Sequence, residues 1–223
     1  MSKKTKYLTY LNYIFFSAVC VSCVILAIVL KLHWLTTISC LSGILYVVFL
    51  SDRSILNFIV GFISSTTYIF VSFHAKLYGE VIFYLFIDLP MIFISFYMWK
   101  KNMCSELRVQ SRKLNIKSIV LISIISIFSI YIYALFLKSI GGVNVVVDSI
   151  STIISFIATI LMALRYREQW FMWLIVNLVS IIMWATTFDL LMLIMSISCF
   201  ISCFIGFINW TINCKNSTTK KTS

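Results

Sequence analysis

The chain has 223 residues, 61% hydrophobic and only 11% charged, with one proline and a mean hydropathy of +1.04. A water-soluble domain of this size needs far more charge to cover its surface, so the composition excludes a soluble protein and indicates a polytopic membrane protein. The net charge of +11 does not indicate nucleic acid, because no basic stripe interleaved with aromatics lies outside the apolar segments.

Lys3, Lys4 and Lys6 precede an apolar run over about 8–30. That run is longer than a signal-peptide core and lacks its small-residue exit, so it reads as a retained first helix. A break over 31–34 leads to a second helix at 35–51. Residues 51–54 form a turn, and Asp52 or Ser54 is placed to cap a third helix at 55–73. A fourth helix follows at 78–99, where Pro90 should impose a kink. The one sustained polar segment, 100–117, carries Lys100, Lys101, Arg108, Arg112, Lys113 and Lys117. A fifth helix at 117–137 and a loop at Gly141-Gly142 lead to helices six, seven and eight at 148–165, 168–187 and 190–212.

Eight spans with the N-terminus inside place fifteen of the 18 Lys and Arg residues on the cytoplasmic side, leaving Lys31, Lys76 and Lys138 outside. The positive charge therefore orients the chain, with both termini cytoplasmic, and does not mark a ligand site. The seven cysteines lie mostly within apolar segments and read as small buried hydrophobes, with no metal or cofactor implied. The sequence holds no G-x-x-x-x-G-K-[ST], no H-E-x-x-H and no G-x-S-x-G, which argues against ATP hydrolysis and against an enzyme.

The chain also repeats. Asn57 lies 42 positions before Trp99, and Glu168 lies 42 before Trp210. Each segment holds two helices ending in a tryptophan beside a basic loop. Adding the preceding helix of each gives two three-helix units of like orientation, related by an axis along the membrane normal. The expected organisation is a first helix (1–34), a first unit (35–99), a connector with the linking fifth helix (100–147), a second unit (148–212) and a basic tail (213–223). Parallel 3+1+3 repeats are the layout of the SWEET sugar transporters, preceded here by one extra N-terminal helix.

Trp173, Asn177, Ser180 and Trp184 fall at i, i+4, i+7 and i+11, one stripe on the seventh helix. An amide at bilayer depth needs hydrogen-bond partners that lipid tails cannot supply, so this stripe must face other helices or a cavity. Asn57, Gly61, Ser64 and Tyr68 repeat the spacing on the third helix. Tyr84 and Asp88 share a face of the fourth helix, and Asp148 and Thr159 share a face of the sixth. Small and hydroxyl residues in such stripes often only pack helices together. Bulky indoles hold helices apart, which favours a seat for a flat heterocycle. Asp88, near mid-helix, is placed to bind substrate or to pair with a basic residue.

The stretches 57–99 and 148–184 resemble the PnuC vitamin transporters, whose best-known members carry nicotinamide riboside. The specific pieces are LYG at Leu77–Gly79, LP at Leu89–Pro90, DS at Asp148–Ser149 and RYxEQWxxW at Arg165–Trp173 with Asn177. The resemblance implies a SWEET-like trimer in the bacterial cytoplasmic membrane. Transport would be uniport of the vitamin by facilitated diffusion, drawn toward NAD synthesis by phosphorylation in the cytosol. It places the site between the repeats at mid-membrane, at Trp170, Trp173 and Asn177 with the facing stripe of the third helix. Many relatives carry amides where this chain has Tyr84 and Ile92, and near Ser64 and at Thr159. Thiamine or another vitamin is therefore the alternative substrate, and a non-transporting receptor or scaffold the alternative role.

Overall fold

A computed structural model describes residues 3–105, 108–139 and 145–219. Gly141, Gly142, Lys220, Lys221 and the side chain of Asp148 lie outside the described residues. Among those described, eight helices run in the expected order: α1 Lys3–Val29, α2 Trp34–Ser51, α3 Asn57–His74, α4 Tyr78–Lys100, α5 Ile116–Ser139, α6 Val145–Ala163, α7 Gln169–Thr186 and α8 Leu190–Thr219. All except α3 are long and apolar enough to cross a membrane. α3 matches α2 in length, but Asn57, Ser64, Ser65, Thr66, Thr67, Ser72 and His74 dilute its hydropathy. Most of these polar residues lie on the buried face of α3.

Six helices close a ring. α2 packs on α3, α3 on α4, α4 on α6, α6 on α7, α7 on α8 and α8 back on α2. α1 lies outside against α2 and α8, and α5 lies outside against α6. Exchanging α2 with α6, α3 with α7 and α4 with α8 maps this ring onto itself.

The backbone repeats at the same level of detail. Non-glycine residues with positive φ occur in equivalent turns 112 residues apart: Arg53 (60°) with Arg165 (65°), and Lys76 (60°) with Phe188 (57°). In the first pair the Arg53 amide donates to Leu50 O at 3.0 Å and the Arg165 amide to Met162 O at 2.9 Å. Neither Asp52 nor Ser54 caps α3 in the expected manner. Asp52 pairs with Arg108, and the Ser54 hydroxyl accepts from the Leu56 amide ahead of the helix.

This register corrects the spacing expected above. Asn57 corresponds to Gln169, both fully buried at the start of their helices, and not to Glu168. The two interfacial tryptophans, Trp99 and Trp210, are only 111 apart. The missing residue is accounted for in α4, where Tyr84–Asp88 forms a π-helical turn just before Leu89-Pro90. Proline lacks an N–H and its ring collides with the carbonyl four residues back; a π turn admits one extra residue and relieves both. At Pro90, where a kink was expected, the structure shows this widened turn on the N-terminal side.

The polar connector contains a short hairpin, β1 Met103–Ser105 against β2 Arg108–Val109. It ties the two equivalent turns together. The Val109 amide donates to Arg53 O (3.2 Å) and the Arg112 amide to Arg165 O (2.7 Å). The Leu114 amide donates to the buried Glu168 carboxylate at 3.1 Å. The first helix docks at this same end, where Asn12 Nδ2 donates to Ser51 Oγ and Tyr13 OH to Asp52.

Close approach at Gly206 fixes α7 against α8. A Cβ there would meet the Trp170 ring at 2.3 Å. Gly206→Ala is expected to destabilise the protein by about 1–3 kcal/mol through overpacking, read as a lower Tm in detergent. An unchanged Tm would show that Trp170 moves aside freely.

Candidate functional site

The ring encloses a cavity of about 90 Å³, room for several water molecules. α2 lines it with Gly43, Tyr46, Val47 and Leu50, and α3 with Ser64, Ser65 and Tyr68. α4 contributes Tyr84 and Asp88, α7 contributes Trp170, Trp173, Val176, Asn177 and Ser180, and α8 contributes Met195, Ser196, Cys199 and Cys203. Each of these sets follows helical spacing, so each is one face of a helix.

Eight of the residues singled out from the sequence line this cavity: Ser64, Tyr68, Tyr84, Asp88, Trp170, Trp173, Asn177 and Ser180. Asn57, Thr159 and Trp184 do not. Asn57 is fully buried and its Nδ2 donates to Ser54 O at 2.5 Å, closing the turn before α3. Thr159 Oγ1 donates to Ser155 O within its own helix. Trp184 sits one level beyond the cavity, its indole N–H donating to Tyr68 OH at 3.1 Å. The face of α2 was missed. Its signal was Gly43, Tyr46, Val47 and Leu50 at i, i+3, i+4 and i+7.

Equivalent positions of the two units face each other across the cavity. Ser65 corresponds to Asn177, Tyr68 to Ser180 and Tyr84 to Ser196; past the π turn, Asp88 corresponds to Cys199. The chemistry on the two sides is different. Trp173 corresponds to Gly61, where a Cβ would lie 2.9 Å from the Tyr46 ring, so the first unit fills with a tyrosine from α2 what the second fills with its own indole. Asn177 Nδ2 donates to Trp173 O at 2.8 Å and lies 3.6 Å from Cys203 Sγ. The Trp170 and Trp173 indole N–H groups are buried and have no protein acceptor. Such donors favour a ligand or water with acceptor oxygens. Asp88 Oδ2 accepts from Ser65 Oγ at 2.5 Å. Among the described residues no Lys, Arg or His lines the cavity.

A second cavity, about 570 Å³, opens at the end away from the connector. His33, Thr36, Val71, His74, Trp184, Thr187 and Asp189 line it. Trp184 lines only this cavity and Tyr68 only the first, so this hydrogen-bonded pair lies between them, packed with Val71, Leu191 and Met192. His33 caps α2, accepting from the Leu35 amide, and Asp189 caps α8, accepting from the Met192 amide. Burial pushes the Asp189 carboxyl above the usual range, and the amides of Met192 and Leu191 pull it partly back. Among the described residues no three His, Cys, Asp or Glu side chains converge as for a metal.

A ring of apolar helices around an aromatic cavity, with a larger cavity beyond Trp184, suits a membrane transporter, and comparison with known proteins shows that class. The model of the nicotinamide mononucleotide transporter family matches residues 33–212, and the chain belongs to that family. It is 33% identical over 189 residues to the nicotinamide riboside transporter PnuC of Neisseria mucosa, covering 80% of this chain and 72% of that one. It is 35% identical over 181 residues to the Haemophilus influenzae transporter of the same name, covering 80% and 79%. A crystal structure of the vitamin B3 transporter PnuC matches with a TM-score of 0.86 and 28% identity, over 97% of this chain and 99% of that one.

The Trp184–Tyr68 pair is testable by a double-mutant cycle. Trp184→Phe and Tyr68→Phe should show a coupling of about 0.5–1.5 kcal/mol in thermal or denaturant unfolding, because each change strands the other's polar atom. Additive effects would mean that the hydrogen bond is not formed.

Proposed function

We propose that this protein takes up nicotinamide riboside across the cell membrane by uniport, with phosphorylation in the cytosol trapping the product for NAD synthesis. The observation that carries this reading is the cavity lining. Trp170, Trp173, Tyr68 and Tyr84 offer flat faces to an aromatic ring, and Asn177, Ser64 and Ser180 offer hydrogen bonds to an amide and a ribose. The lining also favours the riboside over the mononucleotide named in the family's description. A phosphate would bring up to two negative charges into a cavity with one carboxylate and no basic side chain.

In this reading the units 35–99 and 148–212 act as like-oriented, SWEET-like repeats, and Trp184 and Asn57 support the site without touching substrate. The connector end faces the cytosol. Arg53, Lys100, Lys101, Arg108, Arg112, Lys113, Lys117, Arg165 and Arg167 lie there, against Lys31, Lys76 and Lys138 at the other end. α5, buried only at Ser126, leaves a broad apolar face for lipid or for the neighbours of a homotrimer. The cavity as it stands is smaller than a nucleoside, so binding must spread α3 from α7, the helices that meet through Tyr68 and Trp184.

Purified protein in liposomes should carry nicotinamide riboside with saturable kinetics and without ATP or an ion gradient. Trp173→Ala or Asn177→Ala should reduce binding at least tenfold while the protein still assembles. Binding in a panel of nicotinamide riboside, thiamine and riboflavin decides the substrate. Flux of none of them would overturn transport, and binding without flux would mark a receptor.

A further inference from the structure

Asp88 is the one carboxylate among the described residues of the cavity lining, and it is 7% exposed. Its bond to Ser65 comes from a neutral hydroxyl. The ion pairs seen among the described residues, Arg108–Asp52 and Arg167–Glu168, both lie at the connector end and leave Asp88 without a cation. A buried carboxylate with one neutral donor carries a large desolvation cost, and a positive charge within about 4–6 Å is what repays it. The surrounding side chains suit a delocalised cation. Tyr68 and Tyr84 lie with ring centroids 4.4 Å apart, and Tyr46 and Trp173 complete the aromatic wall. Ring faces and a carboxylate act in the same direction on a flat cation.

The backbone adds an independent observation. Asp88 closes the π turn, and its counterpart in the second unit is the uncharged Cys199. Without the inserted residue the helix downstream would be rotated by about 100° relative to the residues before it. The turn thus sets the register of the helix beyond Asp88 relative to the residues before it while Pro90 is accommodated. π turns of this kind concentrate at functional sites.

We propose that Asp88, positioned by Ser65, is the residue that selects for a fixed positive charge on the substrate ring. This assignment rests on the transport reading above and goes beyond it by naming what the first unit recognises. The second unit reads shape and hydrogen bonding through Trp173 and Asn177; the first reads charge through Asp88.

The test compares nicotinamide riboside, whose pyridinium is cationic, with its reduced dihydro form, which has nearly the same shape and no ring charge. Binding is measured by calorimetry on the full-length protein in detergent. Wild type should prefer the cationic form at least tenfold. Asp88→Asn, which keeps the size and the hydrogen bond to Ser65, should lose that preference by weakening the cationic ligand tenfold or more and the neutral one less than twofold. Ser65→Ala should give a smaller loss in the same direction, and serves if Asp88→Asn is poorly folded. Equal affinity of wild type for the two ligands, or an equal effect of Asp88→Asn on both, would overturn the charge assignment alone. Binding of neither ligand to wild type would overturn the transport reading and this assignment with it.

Discussion

Two indole N–H groups cross between the halves of the ring, and the closed connector end depends on them. Trp99 donates to Met162 O at 3.0 Å and Trp210 donates to Leu50 O at 3.1 Å. Each tryptophan belongs to the last helix of one unit, and each acceptor ends the first helix of the other. Both rings are fully buried, packed near each other with centroids 5.8 Å apart. In such surroundings a lost acceptor would leave a desolvated donor, so the pair is costly to separate. The connector adds backbone bonds to the two turns just beyond those acceptors, at Arg53 and Arg165. The connector end is therefore fastened by side chains, by backbone and by the Asp52–Arg108 ion pair.

The opposite end is built differently. Between the central cavity and the second one, Trp184 is hydrogen-bonded to Tyr68 within a cluster of buried apolar residues that includes Val71, Leu191 and Met192. The two ends thus differ in kind: polar and backbone ties at the connector end, mainly apolar packing at the other. The repeat is kept in the backbone: the same turn geometry, with a left-handed residue at each, occurs in both halves, while the cavity-facing residues diverge.

That divergence sets the chemistry of the cavity wall. Equivalent positions hold Ser65 and Asn177, Tyr68 and Ser180, Asp88 and Cys199. A symmetric backbone thus presents an asymmetric surface, as binding an asymmetric solute requires. The one-residue insertion in α4 serves the same end, because it breaks the register between the units where the carboxylate is introduced.

Much of this was legible in the chain itself. Apolar runs of spanning length, separated by charged turns, determined the number and order of the helices, since lipid leaves the backbone no alternative to an internal hydrogen-bond ladder. Helical spacing also determined which side chains of α3, α4 and α7 share a face, and most of those turned out to line one cavity. The tertiary structure alone decided the rest. Whether Trp184 touches the cavity or guards it depends on its depth relative to Tyr68, a matter of how α3 and α7 slide past each other. Whether Asn57 points to a ligand or closes its own turn depends on local backbone that a 3.6-residue repeat does not encode. The one-residue offset between the units came from a widened turn at Tyr84–Asp88, and a pattern that assumes uniform helices cannot register an extra residue inside one.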